Sequence, residues 1–309
     1  MKETRHVCLV MVSFETTESV PIEHAIRLAR GTEPAVIVVC CDEHGPSLQP
    51  TKAALEAAGG PDVELAVVRA RDTGIRWGHG VDATLRTMDE RGMAAEVLLM
   101  VPGDIDATQL GEDGLAALDQ GLKDLVAGAR KVDLCLGDYS IIGDRIKEEF
   151  DTLVADDVLA AAWPEFAPQI HGLAASKLRT EIWALNLKQS AWIRRFAWFC
   201  DPTPHLVLSV LKRGGRVGVQ RLSFADQDSG RSGRVAKHYQ AIRLALDLGV
   251  ARAAFERQLA RDRHEGREEQ RQRAARLRTQ LDKLFKATLK ALDKLDAAID
   301  AEEKNEAVD

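Results

Sequence analysis

The 309-residue chain has no apolar run, free of charge, that approaches the ~18 residues needed to span a membrane, so no segment reads as a transmembrane helix. It has no excess of positive charge. Its 42 Lys and Arg against 48 Asp and Glu leave a formal charge of -6, which excludes nucleic-acid binding through bulk electrostatics. Its five cysteines, at 8, 40, 41, 135 and 200, show no metal-site or disulfide spacing. Four of them lie in apolar runs, where a thiol behaves as a small hydrophobe. No signal-peptide pattern follows the opening MKETRH. A reducing, cytoplasmic setting is the expectation from these absences. What remains is ordinary for a globular protein, with 45% apolar and 29% charged residues and enough chain to bury a large core.

The most informative stretch is Ala94 to Ala107, AAEVLLMVPGDIDA. Val97 to Val101 is an unbroken apolar run, which predicts a buried strand covered by helices on both faces. Pro102 and Gly103 are expected to end it. Asp104 and Asp106 follow at once, beyond the carboxyl end of the strand, where open α/β sheets bind ligands. Alternate residues of an extended segment point the same way, so the two carboxylates can share one ion. Such oxygens suit a hard divalent ion, Mg2+ or Mn2+, held jointly with a substrate diphosphate.

The pattern before that strand alternates. Val7 to Val12 predicts a strand, Pro21 to Arg30 a helix stopped by Gly31, and Ala35 to Cys41 a second strand ending at Asp42 and Glu43. A helix near Thr51 to Ala58 and a strand at Val63 to Val68 come next. RARDTGIRWGHG then reads as a Gly-rich basic loop opening a helix at Asp82 to Glu90. This order predicts a doubly wound α/β domain. Later, Gly114 to Val126 and residues 144–162 read as helices and Val132 to Leu136 as a strand. Leu173 to Leu187 carries no clear period, and Leu206 to Leu211 fits helix or strand. Arg216 to Leu222 alternates like a strand, residues 225–234 read as a polar loop, and His238 to Leu248 as a helix. From about Val250 the chain is crowded with Arg, Glu and Gln. Leu277, Leu281, Leu284, Thr288, Ala291, Leu295 and Ala298 alternate steps of four and three, a short heptad seam. One long helix or two are expected there, packing on the body or pairing with a second copy.

Four features fall in order at strand ends: the Ser13-Phe14-Glu15 loop, Asp42-Glu43, the Gly74-Ile75-Arg76-Trp77-Gly78-His79-Gly80 segment, and Asp104-x-Asp106. This order resembles the GT-A fold glycosyltransferases of the dolichol-phosphate mannose synthase type. It is most similar to mannosylglycerate synthase and glucosyl-3-phosphoglycerate synthase. The likeness spans residues 7–250 in layout and is strongest over residues 74–106. It implies a Rossmann-like doubly wound mixed sheet with a C-terminal helical extension. Residues 1–110 would form the nucleotide-sugar half, residues 111–250 the acceptor half, and residues 251–309 a long charged helix or hairpin. It implies a nucleotide-sugar donor, a small-molecule or lipid-linked acceptor, and a divalent ion.

By the same resemblance, Asp42 meets the nucleobase or ribose, with Ser13 and Glu15 nearby. Gly78, His79 and Gly80, preceded by Arg76, flank the diphosphate. Asp104 and Asp106 bind the metal and the ribose side of the donor. Asp201 contacts the acceptor or acts as general base, His238 is a further metal ligand, and Thr180, Glu181 and His205 lie on the acceptor side. The residue types fit the chemistry: a diphosphate leaves, and an ion and a cation such as Arg76 stabilise its growing charge.

The chain departs from the pattern in two places. The usual lysine between the loop glycines is His79, and Pro102-Gly103 intrudes before the aspartates. These departures motivate a second reading, a catalytically reduced relative that serves as a binding or scaffold module through its C-terminal helix. A nucleotidyltransferase would want a Gly-rich basic loop after the first strand, where SFETTE stands instead. Trp77, Trp163, Trp192 and Trp198 are candidates for stacking on sugar faces or for core packing.

Overall fold

A computed structural model of the chain describes residues 5–70, 73–105, 110–142, 156–173, 178, 180–196, 202–227, 234–262 and 266–306. Asp106, Asp201 and Trp198 lie outside these residues. The described chain divides into two units: Met1–Ser140 with Arg179–Gln227, and Ile141–Leu178 with Asp228–Asp309.

The first unit is built on a seven-stranded sheet. Its strands are β1 (Arg5–Met11), β2 (Ile37–Asp42), β3 (Val63–Val68), β4 (Ala95–Pro102), β5 (Leu134–Ile142), β6 (Trp183–Asn186) and β7 (Val217–Gln227). Their order is β3-β2-β1-β4-β6-β5-β7. The β3-β2-β1-β4 half is parallel, whereas β6 runs antiparallel to both β4 and β5. The sheet is thus mixed. The four-residue β6 sits in the stretch whose sequence shows no clear period, because a strand this short cannot establish one. β7 continues to Gln227, into residues expected to be a polar loop.

Residue alternation assigns the two faces. Cys8, Val10, Ile37, Val39, Cys41, Val97, Leu99 and Val101 join one core with the helices α1 (Val20–Gly31), α2 (Leu48–Ala58) and α4 (Glu112–Ala129). Leu9, Met11 and Cys40 face the helix α3 (Thr73–Glu90), whose Gly80 lies against all three. Helices therefore cover both faces, and the central strands carry buried apolar residues on both sides.

α3 begins earlier than the sequence indicated. Gly78, His79 and Gly80 are helical, not a loop. Trp77, Gly80, Val81, Thr84, Leu85 and Met88 recur at steps of three and four and are buried, which defines one helical face that includes Gly80. A Cβ on Gly80 would stand 2.7 Å from Met11 Sδ. Glycine there serves close helix–sheet approach.

As expected, β4 ends at Pro102: this residue makes the last pair, with Met11, and the Gly103 N–H donates to Met11 O at 2.6 Å. A Cβ on Gly103 would lie 3.0 Å from Val12 Cα. The Pro-Gly pair thus carries the chain past β1 in close contact. A further helix of this unit, α7 (Pro202–Leu211), is almost wholly buried.

The second unit is helical: α5 (Asp156–Ala162), α6 (Ala167–Gly172), α8 (Arg234–Asp262) and α9 (Arg267–Glu306). α9 packs along α8 and α5. Leu284, Thr288, Ala291 and Leu295 of the heptad seam are buried in this unit. The units do not follow divisions at residues 110 and 250, because the C-terminal helices share their core with residues from the middle of the chain.

Candidate functional site

A small cavity of about 80 Å3 opens beyond the carboxyl ends of β1 and β4. Met11, Val12 and Ser13 line it from the end of β1, Arg76 and Trp77 from α3, Asp104 from the end of β4, and Glu181 from the approach to β6. Strand alternation explains Asp104. Met100, Pro102 and Asp104 share a parity, and Pro102 pairs with Met11 on the α3 face. Ile105, one residue on, is buried in the opposite core. Asp104 is itself exposed.

Arg76 is the central group. It sits in the first turn of α3, only 4% exposed, and its Nε and Nη1 have no hydrogen-bond partner among the described residues. Burial pushes its guanidinium below the ordinary arginine value, opposed by the nearby charges of Cys40, Asp42, Glu181 and Asp104. A buried cation with unsatisfied donors is costly to a resting fold. Placed on a cavity rim it is suited to an anion. Beneath it Trp77 packs against Trp183, ring centroids 6.2 Å apart.

Asp42 is buried and its two oxygens are already committed. Oδ1 accepts from the His44 N–H and Oδ2 from the Ala70 N–H, both at 2.8 Å. Burial raises its pKa, but these N–H groups, Arg76 and the Gly45 N–H outweigh it and hold the carboxyl below its usual range. Asp42 thus ties together the chain leaving β2 and the chain leaving β3. Phe14 lies against Gly45 in the same region, and Glu15 is exposed beside it.

Thr180 brackets Glu181. Its hydroxyl accepts from the Ile182 N–H at 3.2 Å, and its carbonyl accepts from Thr203 Oγ1 at 2.8 Å. His205 is buried in α7, where burial and then Lys212 lower its pKa to about 3, leaving it neutral at pH 7. His79 is exposed on α3. His238 belongs to the other unit, where its Nε2 lies 2.8 Å from Asp296 Oδ1.

The structure therefore brings Ser13, Arg76, Asp104 and Glu181 together, with Asp42 close enough to Arg76 to affect its charge. Met11, Val12 and the Trp77–Trp183 pair complete the site and were not singled out together from sequence. The parity of β1 and β4 carried that signal. Trp163 meets Phe255 edge to face and lies under Arg252 in the second unit, and Trp192 lies under Arg213.

Solved structures share this arrangement of elements. Glucosyl-3-phosphoglycerate synthase from Mycobacterium tuberculosis in complex with UDP is similar with a TM-score of 0.54 at 15% identity, over 82% of either chain. The same enzyme in complex with Mn2+, UDP-glucose and phosphoglyceric acid matches with a TM-score of 0.54 at 16% identity, over 82% of this chain and 81% of that one. The fold is of the GT-A type. A further match, a mycobacterial protein, has a TM-score of 0.54 at 17% identity, over 81% of this chain and 75% of that one. No protein-family profile and no curated protein sequence matches the chain.

Among the described residues no helix is long and apolar enough to cross a membrane. None of them form a group of three or more His, Cys, Asp or Glu able to hold a metal ion.

Proposed function

We propose that the chain is a glycosyltransferase that takes a sugar from a nucleotide-diphosphate donor and passes it to a small or lipid-linked acceptor. The observation that carries this reading is Arg76: a buried guanidinium with two unpartnered donors on a cavity at the carboxyl edge of a GT-A sheet. Structures of this fold bind UDP and UDP-glucose in the mycobacterial synthase.

Arg76 meets the diphosphate and stabilises the charge that grows on it as the glycosidic bond breaks. The α3 N-terminus adds its partial positive charge at the same place. Asp42 acts through the backbone, shaping the loops on the donor's base side, with Ser13 and Glu15 along that wall. Glu181, held by Thr180, faces the acceptor, and Trp77 offers an apolar wall to the sugar. Asp201 is the proposed general base, and His205 supports the acceptor side from within α7.

The donor chemistry calls for a divalent ion. Asp104 supplies a hard oxygen at the cavity, fitting Mg2+ or Mn2+ shared with a diphosphate, and Asp106 is its proposed partner. When bound, such an ion would neutralise charge on the leaving diphosphate.

The test is a panel of UDP- and GDP-sugars with Mn2+, read as released nucleotide and as heat stabilisation. One donor is expected to give both. No release and no stabilisation by any nucleotide would defeat the proposal and leave a scaffold role.

A homo-oligomer is proposed through the second unit, but not through the heptad seam. The exposed apolar residues are Tyr239, Ile242, Leu246 and Val250 on α8 and Phe285 and Leu289 on α9. A specific interface between two copies buries about 1,200 Å2 or more in total, and these residues are its proposed apolar centre.

A further inference from the structure

The second unit holds a much larger cavity. It lies between the end of α8 and the start of α9 and measures about 600 Å3, within the range of small-molecule sites. The small side chains of Ala254 on α8 and Ala274 on α9 both line it. Further along the pair, Leu281 and Leu284 close against Gly249 and leave no gap.

The polar lining is unevenly charged: Arg257 and Arg261 from α8, Arg273 and Gln270 from α9, and one carboxylate, Glu256. That carboxylate is committed. Glu256 Oε1 accepts from Arg252 Nη2 at 2.7 Å and Oε2 from Arg273 Nη1 at 2.5 Å. Arg257 and Arg261 have no acidic partner among the described residues. Arg257 Nε donates to Ala253 O, and Arg261 Nη2 to Gln258 Oε1. They stand four residues apart on one helix face, where like charges repel. Elsewhere on α8, Arg243 pairs with Asp247, and Arg252 with Glu165 and Glu256. The cavity wall therefore carries two cations, Arg257 and Arg261, without an acidic partner among the described residues, over a floor of Ala254, Ala274 and Leu277.

We propose that this cavity binds an organic anion. Its phosphate or carboxylate head engages Arg257 and Arg261, for which guanidinium geometry is suited. Its compact apolar body rests on the alanines and Leu277. The site lies within the second unit and does not depend on the glycosyl-transfer reading.

The test is calorimetric titration of the full chain with phenyl phosphate, alongside inorganic phosphate and benzyl alcohol as the separate head and body. Phenyl phosphate is expected to bind one per chain, at least tenfold tighter than either fragment. Arg257→Ala/Arg261→Ala, at exposed positions, should weaken it at least tenfold without lowering the melting temperature. Ala254→Leu/Ala274→Leu, which keeps the charges and fills the space, should do the same. Asp104→Ala should leave it unchanged. The proposal is overturned if phenyl phosphate does not bind, if the arginine variant binds it as well as wild type, or if Asp104→Ala abolishes binding. Flotation with phosphatidic acid vesicles in place of phenyl phosphate binding would overturn it in favour of a lipid surface.

Discussion

Replacing Arg76 with Met separates a functional from a structural arginine. In the resting protein the guanidinium is 4% exposed, with Nε and Nη1 unpartnered. Each unsatisfied buried donor costs about 1–3 kcal/mol. Attraction to Asp42, Asp104 and Glu181 offsets part of that cost. Met fills a similar volume without the charge, so Arg76→Met should leave the ligand-free protein as stable as before or more stable. One kcal/mol corresponds to a shift of about 2–4 °C in a chain of this size class.

The bound protein should respond in the opposite sense. A charge-assisted hydrogen bond to phosphate is worth about 1.5–3 kcal/mol, so losing it weakens nucleotide binding about tenfold or more. At a ligand concentration 100 times the wild-type Kd, stabilisation of about 2.7 kcal/mol should fall to about 1.4 or less. The assay is thermal melting with and without the nucleotide found in the donor panel. A melting temperature several degrees lower without ligand, with an undiminished shift on adding nucleotide, would refute the reasoning and make Arg76 a structural residue.

Asp104→Ala should abolish sugar transfer while moving the melting temperature by less than about 1 °C, since the residue is exposed at a strand end; a large loss of stability would point to a structural role. Gly103→Ala places a Cβ 3.0 Å from Val12 Cα and 3.1 Å from Met11 O, both backbone atoms that cannot step aside. It should cost about 1–3 kcal/mol by overpacking and reduce activity by displacing Asp104, measurable as a lower urea midpoint together with slower turnover. His6 and His205 have pKa values lowered to about 4 and about 3, chiefly by burial, so the unfolded state takes up their protons first as pH falls. Stability should therefore be flat above pH ~6.5 and fall below it, by about 1.4 kcal/mol per pH unit for each histidine; His205→Leu should lessen the slope in a pH series of melts. Leu246→Glu/Leu289→Glu should lower the mass seen by light scattering if the exposed faces of α8 and α9 join two copies, and an unchanged mass would remove that idea.

The sequence by itself determined the repeating strand-helix order and the apolar central strands. Val7 to Val12, Ala35 to Cys41 and Val97 to Val101 have no polar break, and only a sheet buried on both faces tolerates that. It also placed Asp104 at a strand end, because Val97 to Val101 fixes where the strand runs. Tertiary structure decided the rest. The Gly78-His79-Gly80 segment looks like a loop by composition, yet it is helix, with Gly80 fitted against Leu9, Met11 and Cys40 on two strands far away in sequence. Pro102-Gly103 looks like a stop and is one, but only the neighbouring strand shows that Pro102 still pairs with Met11 and that the Gly103 N–H reaches Met11 O. The heptad seam has the spacing of a two-copy interface, but its buried positions are covered by helices of the same unit. Spacing shows which face of a helix is apolar; only the neighbouring elements show what covers it.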